Sequence, residues 1–261
     1  YLPYGVLAGD ESRWGVPFCA RFGRKGGNDT QCFLLEQATQ SFDVEGGCAD
    51  WFLANADARG YYRFELAQEH FARVGTAVPG LPPAQQVVYA DALSAAPRRG
   101  TVAPSAVHDA MPALARSDMP QVATALLKDF EWIREHVADE ATRPLLDAWA
   151  VRLYSPRLQR LGWRRAADEP GTATAMRTRL AEFLAIVVRD PATRAQLAKQ
   201  GRAALGLDGG KVDLSRADAD LLETALKVAV QDGGVAAFGA AQAGFEAGRD
   251  TTHRYALVSR L

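Results

Sequence analysis

Four histidines, the side chains best suited to bind zinc or to move a proton near neutral pH, are spread along the 261-residue chain. No two of them are four residues apart, and no His-Glu-x-x-His motif occurs, so no helix offers the paired histidines of a zinc hydrolase. His136 and Glu140 would share one face of a helix, but a solvated ion pair is the favoured interpretation there. The histidines are His70, His108, His136 and His253.

Other residue patterns also lack the spacing that known chemistry requires. The acidic residues between 208 and 223 do not have the alternation of a calcium loop, and we interpret them as acids at helix starts. The glycine-rich segments 23–27 and 209–210 lack the Gly-x-x-x-x-Gly-Lys pattern of a phosphate-binding loop. No serine lies in a Gly-x-Ser-x-Gly context. The sequence therefore predicts no catalytic residue, no metal ligand and no cofactor for this chain.

Composition excludes several classes of partner. The net charge is −1 and 23% of residues are charged, so no global field attracts nucleic acid. No apolar run reaches 18 residues, so the sequence predicts no membrane span. Arginines greatly outnumber lysines and alternate with acids, which we interpret as solvated helix faces.

The three cysteines, Cys19, Cys32 and Cys48, all lie in the first 50 residues. An odd number argues against a complete disulfide framework, and each cysteine sits in an apolar run. The favoured prediction is buried free thiols, with one disulfide in an oxidising compartment as the alternative.

The character of the sequence changes near residue 66. The chain before this point is rich in glycine and aromatic residues, and the chain after it has a helical pattern. Before it, we expect strands over 16–22, 31–35 and 41–44, with a polar turn over 23–30. Residues 51–55 and 61–66 are predicted to form a hairpin around a turn that contains Asn, Asp and Gly. Alternation places Tyr62, Phe64 and Leu66 on its inner face and Tyr61, Arg63 and Glu65 on its outer face, where Arg63 is a candidate to bind a carboxylate across the domain junction.

Helical periodicity governs the remainder of the chain. It predicts about nine or ten amphipathic helices joined by short loops, arranged as an α-solenoid. Asp190 and Asp250 are the expected N-caps of two of these helices, and Gly233-Gly234 is the expected stop of another. Predicted helices cover residues 119–137, 142–155, 173–189 and 216–231, and a further one contains Val235, Phe238 and Phe245. The apolar stripe expected for 142–155 consists of Leu145, Leu146, Trp149 and Leu153, and that for 173–189 of Met176, Leu180, Phe183, Leu184 and Val187.

Several segments, in order, resemble the C-terminal region of zinc aminopeptidases of the aminopeptidase N family. The most specific is the predicted hairpin, and weaker matches lie at an N-terminal strand, at a Leu-Gly-Trp segment and at residues 214–234 and 250–257. The residues that carry the resemblance are Trp14, Pro17, Trp51, Asn55, Gly60, Tyr61, Tyr62, Arg63, Gly162 and Trp163.

The resemblance implies a mainly α fold with a partial β-sandwich over residues 1–66. A HEAT- or armadillo-like helical lid would follow over 67–261, and we expect it to be truncated at its C-terminus. The parent enzyme would remove N-terminal residues from peptides, using zinc held by a His-Glu-x-x-His motif that this chain lacks. The implied partners are the catalytic domain of that enzyme and its peptide substrates.

Two further expectations follow from the sequence. An isolated lid would expose apolar surface, so we expect self-association. The alternative to an aminopeptidase fragment is an independent helical-repeat scaffold that binds peptides or proteins.

Overall fold

A computed structural model describes residues 14–247 of the chain. Within them the fold is mainly helical, with one three-stranded antiparallel sheet in the order β2-β1-β3. The strands are β1 (Val16–Arg24), β2 (Gly27–Leu35) and β3 (Trp51–Ala54). The expectations for His253 and for a helix capped by Asp250 lie outside the described residues.

Helices follow the sheet to the end of the described chain. Short 3₁₀ turns connect some of them, and a π-helical turn, Phe183–Val187, extends α7. The helices are α1 (Gln68–Ala77), α2 (Pro83–Ala95), α3 (Ser105–Leu114), α4 (Pro120–Ala123), α5 (Leu127–His136), α6 (Arg143–Leu161), α7 (Gly171–Glu182), α8 (Pro191–Ala204) and α9 (Leu222–Ala247).

The β1–β2 hairpin is longer than predicted and carries a disulfide. Only Lys25 and Gly26 connect the two strands, so much of the predicted polar turn is strand. Cys19 lies opposite Cys32 in the register, and the two are disulfide-bonded, whereas Cys48 is free and exposed. The favoured prediction of buried free thiols is therefore wrong, because strand register brings together two cysteines that the sequence separates.

The predicted hairpin at 51–66 is also wrong. Its first half is β3, but β3 pairs with β1, and residues 61–66 form no strand. Residues 41–44 form no strand either. The alternation of burial is nevertheless confirmed, since Leu66 is buried and Tyr62 and Phe64 are half-buried, while their neighbours are exposed.

The chain forms two compact units, one up to Ala113 and one from Leu114 onward. In the first unit the sheet packs on α1, where the Phe52 and His70 rings lie 5.4 Å apart. The α2 helix contributes the buried residues Tyr89 and Leu93 to the same core. The predicted boundary at residue 66 separates a sheet domain from a helical domain, which is a different division from that between the compact units. It remains a prediction.

The helices of the second unit follow the periodic prediction with several differences. The helix predicted over 216–231 begins only at Leu222, after the 3₁₀ turn Leu214–Arg216 and a non-helical stretch over 217–221. The predicted helix 119–137 is interrupted at residues 124–126, so α4 and α5 are separate. The α6 helix buries Ala150, Tyr154 and Leu158, whereas Leu145, expected in the apolar stripe, is 69% exposed. Its true inner face is therefore rotated from the predicted one.

Helices α8 and α9 pack closely because of a glycine. A Cβ atom at Gly201 would lie 2.7 Å from the carbonyl carbon of Ala225 and 2.7 Å from the Cβ of Ala229. Ordinary carbon–carbon contacts are about 3.5–4.0 Å, so only glycine permits this approach. Within the range of α9, Gly234 has a non-helical backbone (φ 55°, ψ −142°), which confirms the predicted break at Gly233-Gly234.

The N-cap predicted at Asp190 is confirmed. Its side chain accepts a hydrogen bond from the Thr193 backbone N–H at 2.9 Å and a second one from the Thr193 hydroxyl at 2.6 Å. This cap satisfies one of the free N–H groups at the start of α8.

Candidate functional site

The aromatic motif that begins at Trp51 contains a turn closed by a side chain. The Asn55 amide donates to the Gly60 carbonyl at 2.9 Å and accepts from the Gly60 N–H at 2.7 Å. Asn55, Asp57 and Ala58 all have φ near +60°, a region that costs about 1–2 kcal/mol for most residues with a side chain. The two hydrogen bonds offset part of that cost and hold the turn in one conformation.

Glycines at two positions allow aromatic rings to lie against the backbone of this region. A Cβ at Gly60 would overlap the Tyr62 ring, and a Cβ at Gly23 would overlap the Trp51 ring. Burial raises the pKa of Tyr62 above its usual value, so this phenol stays neutral at physiological pH. These positions therefore have packing roles.

Asp57, at the tip of the turn, connects β1 to α2. The Gln85 amide donates to its Oδ1 at 3.2 Å, and Arg21 Nη2 lies 3.8 Å from the same oxygen. Gln85 is fully buried, and its Oε1 has no hydrogen-bond partner among residues 14–247. The motif thus joins sheet, turn and helix within the first unit.

The outer face of residues 61–65 is a candidate contact surface. Tyr61 is fully exposed, and the Arg63 guanidinium lies 3.6 Å from the carboxylate of Asp91, with both side chains more than half exposed. An exposed pair of this kind contributes little stability. Arg63 therefore has a carboxylate partner within its own unit. Trp14 and Pro17, the other residues of the resemblance in this unit, are also exposed.

The Leu-Gly-Trp segment lies at the end of α6. Gly162 adopts φ 73°, and the fully buried guanidinium of Arg177 donates to its carbonyl at 3.1 Å and to that of Leu161 at 3.3 Å. Arg177 also pairs with Glu169, and this hydrogen bond lowers the pKa of the Glu169 carboxyl. A cation from α7 thus satisfies the last carbonyls of α6.

A second buried arginine holds the break in α9. Arg194 donates to the Ala185 carbonyl at 2.9 Å and to Gln231 Oε1 at 3.1 Å, and it pairs with Asp232. Asp232 precedes Gly233-Gly234, so the family-like segment is anchored where its backbone turns.

These arginines correct the sequence-based interpretation of solvated helix faces. Arg177 is 0% exposed and Arg194 is 7% exposed. Arg143 and Arg157 likewise donate to backbone carbonyls beyond the ends of α5 and α3. The sequence did contain a signal that these arginines are buried. Arg177 and Arg194 each precede a buried leucine by three residues, so each lies on the inner face of its helix.

The expectation that His136 and Glu140 share a helix face is wrong. The α5 helix ends at His136, so Glu140 does not share its face, and the His136 ring stacks on Trp132 with centroids 5.4 Å apart. No cluster of three or more His, Cys, Asp or Glu side chains occurs among residues 14–247. That part of the chain therefore does not offer the donor set that a catalytic zinc ion requires.

The acidic residues between 208 and 223 have structural partners. Asp213 accepts a hydrogen bond from the Ser215 N–H at 3.1 Å and caps the 3₁₀ turn Leu214–Arg216, as expected for a helix-start acid. Asp208 pairs instead with Arg202 at 2.7 Å, and the buried Asp218 accepts from the Arg165 N–H at 2.8 Å. Each of these three carboxylates therefore supports a turn or a helix end.

A cavity of about 240 Å³ lies among α1, α2 and α3 of the first unit. Its walls include Phe71, Gly75, Tyr89, Asp109 and Ala110. Burial raises the pKa of Tyr89 to about 12, so its hydroxyl is no base at neutral pH. The Tyr89 hydroxyl donates to the Phe71 carbonyl at 3.2 Å.

The described residues thus form a small sheet followed by helices whose ends are joined by buried arginines. Residues 51–261 match the family model described as the ERAP1-like C-terminal domain, and the chain belongs to this family. The match agrees with the resemblance to the C-terminal region of aminopeptidase N family enzymes. No curated protein matches the chain. None of the helices in residues 14–247 is long and apolar enough to cross a membrane.

Proposed function

We propose that this chain is the non-catalytic C-terminal portion of a zinc metallo-aminopeptidase that removes N-terminal residues from peptides. The observation that carries the proposal is the family match over residues 51–261. In this proposal the helical domain covers the active-site cleft of the catalytic domain and restricts which peptides reach it. Zinc and its ligands belong to that catalytic domain, which is the principal partner.

The internal construction of the helices supports a role as a rigid cover. A cover that excludes long peptides must keep its shape while peptide chains press against it. The buried guanidinium groups of Arg177 and Arg194 tie successive helix ends together. We extend the proposal to a solenoid-like stacking of these helices, which the short connection over 188–190 between the π-helical turn and α8 favours.

The outer face of residues 61–65 is the surface we assign to contact with the catalytic domain. Tyr61 offers a fully exposed ring, and Arg63 has a partner that is itself exposed. An arginine in a weak surface pair can exchange one carboxylate for another at small cost. Peptide binding by the helical domain itself is part of the same proposal.

The experiment is hydrolysis of a panel of aminoacyl fluorogenic amides by the purified chain, with and without added zinc. The proposal predicts no turnover above the rate without protein in either condition. Zinc-dependent turnover that survives repurification would contradict it. The control variant is His136→Ala. This exposed histidine belongs to no donor cluster in residues 14–247, so its replacement removes only a site for adventitious zinc.

A further inference from the structure

One long edge of the sheet has no strand beside it among residues 14–247. The order β2-β1-β3 leaves the nine-residue strand β2 at the edge. The two-residue connection makes Arg24 and Gly27 a hydrogen-bonded pair, and hydrogen-bonded pairs then alternate along the ladder. Four residues of β2 therefore direct their N–H and C=O groups away from β1, namely Asn28, Thr30, Cys32 and Leu34.

These outward groups are accessible. The side chains of all four residues are exposed, and Leu34 is 46% exposed although it is apolar. Within the described chain, none of the four backbone N–H or C=O groups takes part in a hydrogen bond outside the β1–β2 ladder. The segment after β2 lies over one face of the sheet rather than beside this edge. The Gln31 side chain exchanges hydrogen bonds with the Glu45 backbone at 2.9 and 3.0 Å, and the Phe42 ring packs on the Phe33 ring with centroids 4.9 Å apart.

The β2 edge also lacks the features that usually prevent edge-to-edge pairing. It contains no proline and no lysine, and its single charged residue is Asp29. The backbone groups of Asp29 face Phe22 of β1, and its half-exposed carboxylate already pairs with Arg24. An edge that is long, regular and nearly uncharged is a template for another strand.

We propose that β2 pairs antiparallel with β2 of a second copy of this chain, around a two-fold axis at Gln31. In this register Asn28 lies opposite Leu34 and Thr30 lies opposite Cys32, so outward-directed groups meet outward-directed groups. The pairing forms about eight backbone hydrogen bonds and a continuous six-stranded sheet.

The register avoids electrostatic repulsion as well. Asp29 lies opposite Phe33 of the second copy, so the two carboxylates do not face each other. Registers shifted by two residues toward either end of β2 lose overlap. The second copy is therefore a self-complementary occupant of this edge, and the inference does not depend on the proposed aminopeptidase role.

The test is sedimentation velocity of the oxidised chain up to about 0.5 mM, with Cys48→Ser in every variant to prevent intermolecular disulfides. Thr30→Pro removes an outward N–H and leaves the β1–β2 hydrogen bonds intact, since Thr30 directs no N–H toward β1. We expect it to weaken dimerisation at least tenfold. The matched control Thr30→Val keeps the backbone donor and favours a strand, so its dimer should resemble that of the parent chain.

Amide hydrogen exchange gives an independent reading without any change at Thr30. Protection of the outward amides at residues 28, 30, 32 and 34 should increase with protein concentration, whereas the amides at 31 and 33 should be protected throughout. A chain that stays monomeric at all concentrations overturns the inference. So does a dimer that Thr30→Pro leaves unchanged, or one that leaves the outward amides unprotected.

Discussion

The contact between α8 and α9 provides the sharpest prediction, because one glycine in these helices has no room for an added Cβ atom and another has ample room. Gly201 is buried in α8, and a Cβ there would lie 2.7 Å from two carbon atoms of α9. At Gly239, in α9, an added Cβ would meet no atom within 4 Å. Both glycines are helical, so Gly201→Ala and Gly239→Ala share the same gain in helix propensity, about 1 kcal/mol.

The two substitutions should therefore have opposite signs. The shortfall of about 1 Å at Gly201 must be met by moving backbone, since the nearest atoms include the Ala225 carbonyl group. Overpacking of a close-packed interior costs about 1–3 kcal/mol, and rigid backbone favours the upper end. After the propensity gain, Gly201→Ala should destabilise the protein by about 2 kcal/mol, whereas Gly239→Ala should stabilise it by about 0.5–1 kcal/mol.

The assay is urea unfolding followed by far-ultraviolet circular dichroism, with thermal unfolding as a second reading. For a unit of this size, a loss of about 2 kcal/mol lowers the melting temperature by roughly 4–8 °C. If Gly201→Ala matches or exceeds the parent in stability, the close approach of α8 and α9 is refuted. If both variants are destabilised equally, the difference in local packing is refuted.

Three further predictions concern single interactions. Asn55→Ala, which removes both hydrogen bonds of the 55–60 turn and places alanine at positive φ, should cost about 2–3 kcal/mol in urea unfolding; a loss under about 0.5 kcal/mol would contradict this role. Replacing Cys19 and Cys32 by serine should cost about 2–3 kcal/mol, and a reductant should destabilise only the parent chain; equal stability with and without reductant would contradict the disulfide. The hydrogen bond from the buried Arg177 guanidinium lowers the pKa of Glu169, so the stabilisation by the Glu169 carboxylate is complete above about pH 4.3 and is lost as the pH falls through the lowered pKa. Glu169→Gln should therefore lose less stability on acidification than the parent chain. Parallel profiles of stability against pH would refute the pairing.

Local rules predicted much of the helical half of the chain. Asp190 caps α8 because a carboxylate three residues before a free N–H needs no distant partner. The break at Gly233-Gly234 and the buried stripe of α7, which includes Met176 and Leu180, likewise follow from short-range pattern. The face of α6 was predicted less well, because the neighbouring helices determine which of two apolar stripes is buried.

The sheet was harder to predict because pairing joins distant segments. The partner of β3 is β1, about thirty residues upstream, and an aromatic run followed by Asn and Gly looks the same whether or not it forms its own hairpin. The disulfide depends on the β1–β2 register. The buried arginines were missed for a related reason, since their carbonyl partners belong to neighbouring turns and helix ends.

The central claim is that this chain covers an aminopeptidase cleft and restricts peptide access. The most direct measurement compares the catalytic domain of an aminopeptidase N family enzyme alone with the same domain fused to this chain as its C-terminal portion. The rates to compare are those for a short aminoacyl amide and for a long peptide with the same N-terminal residue. The account predicts that the fusion changes the ratio of the two rates while it retains turnover of the short substrate. An identical ratio for the fused and the isolated catalytic domain would contradict it.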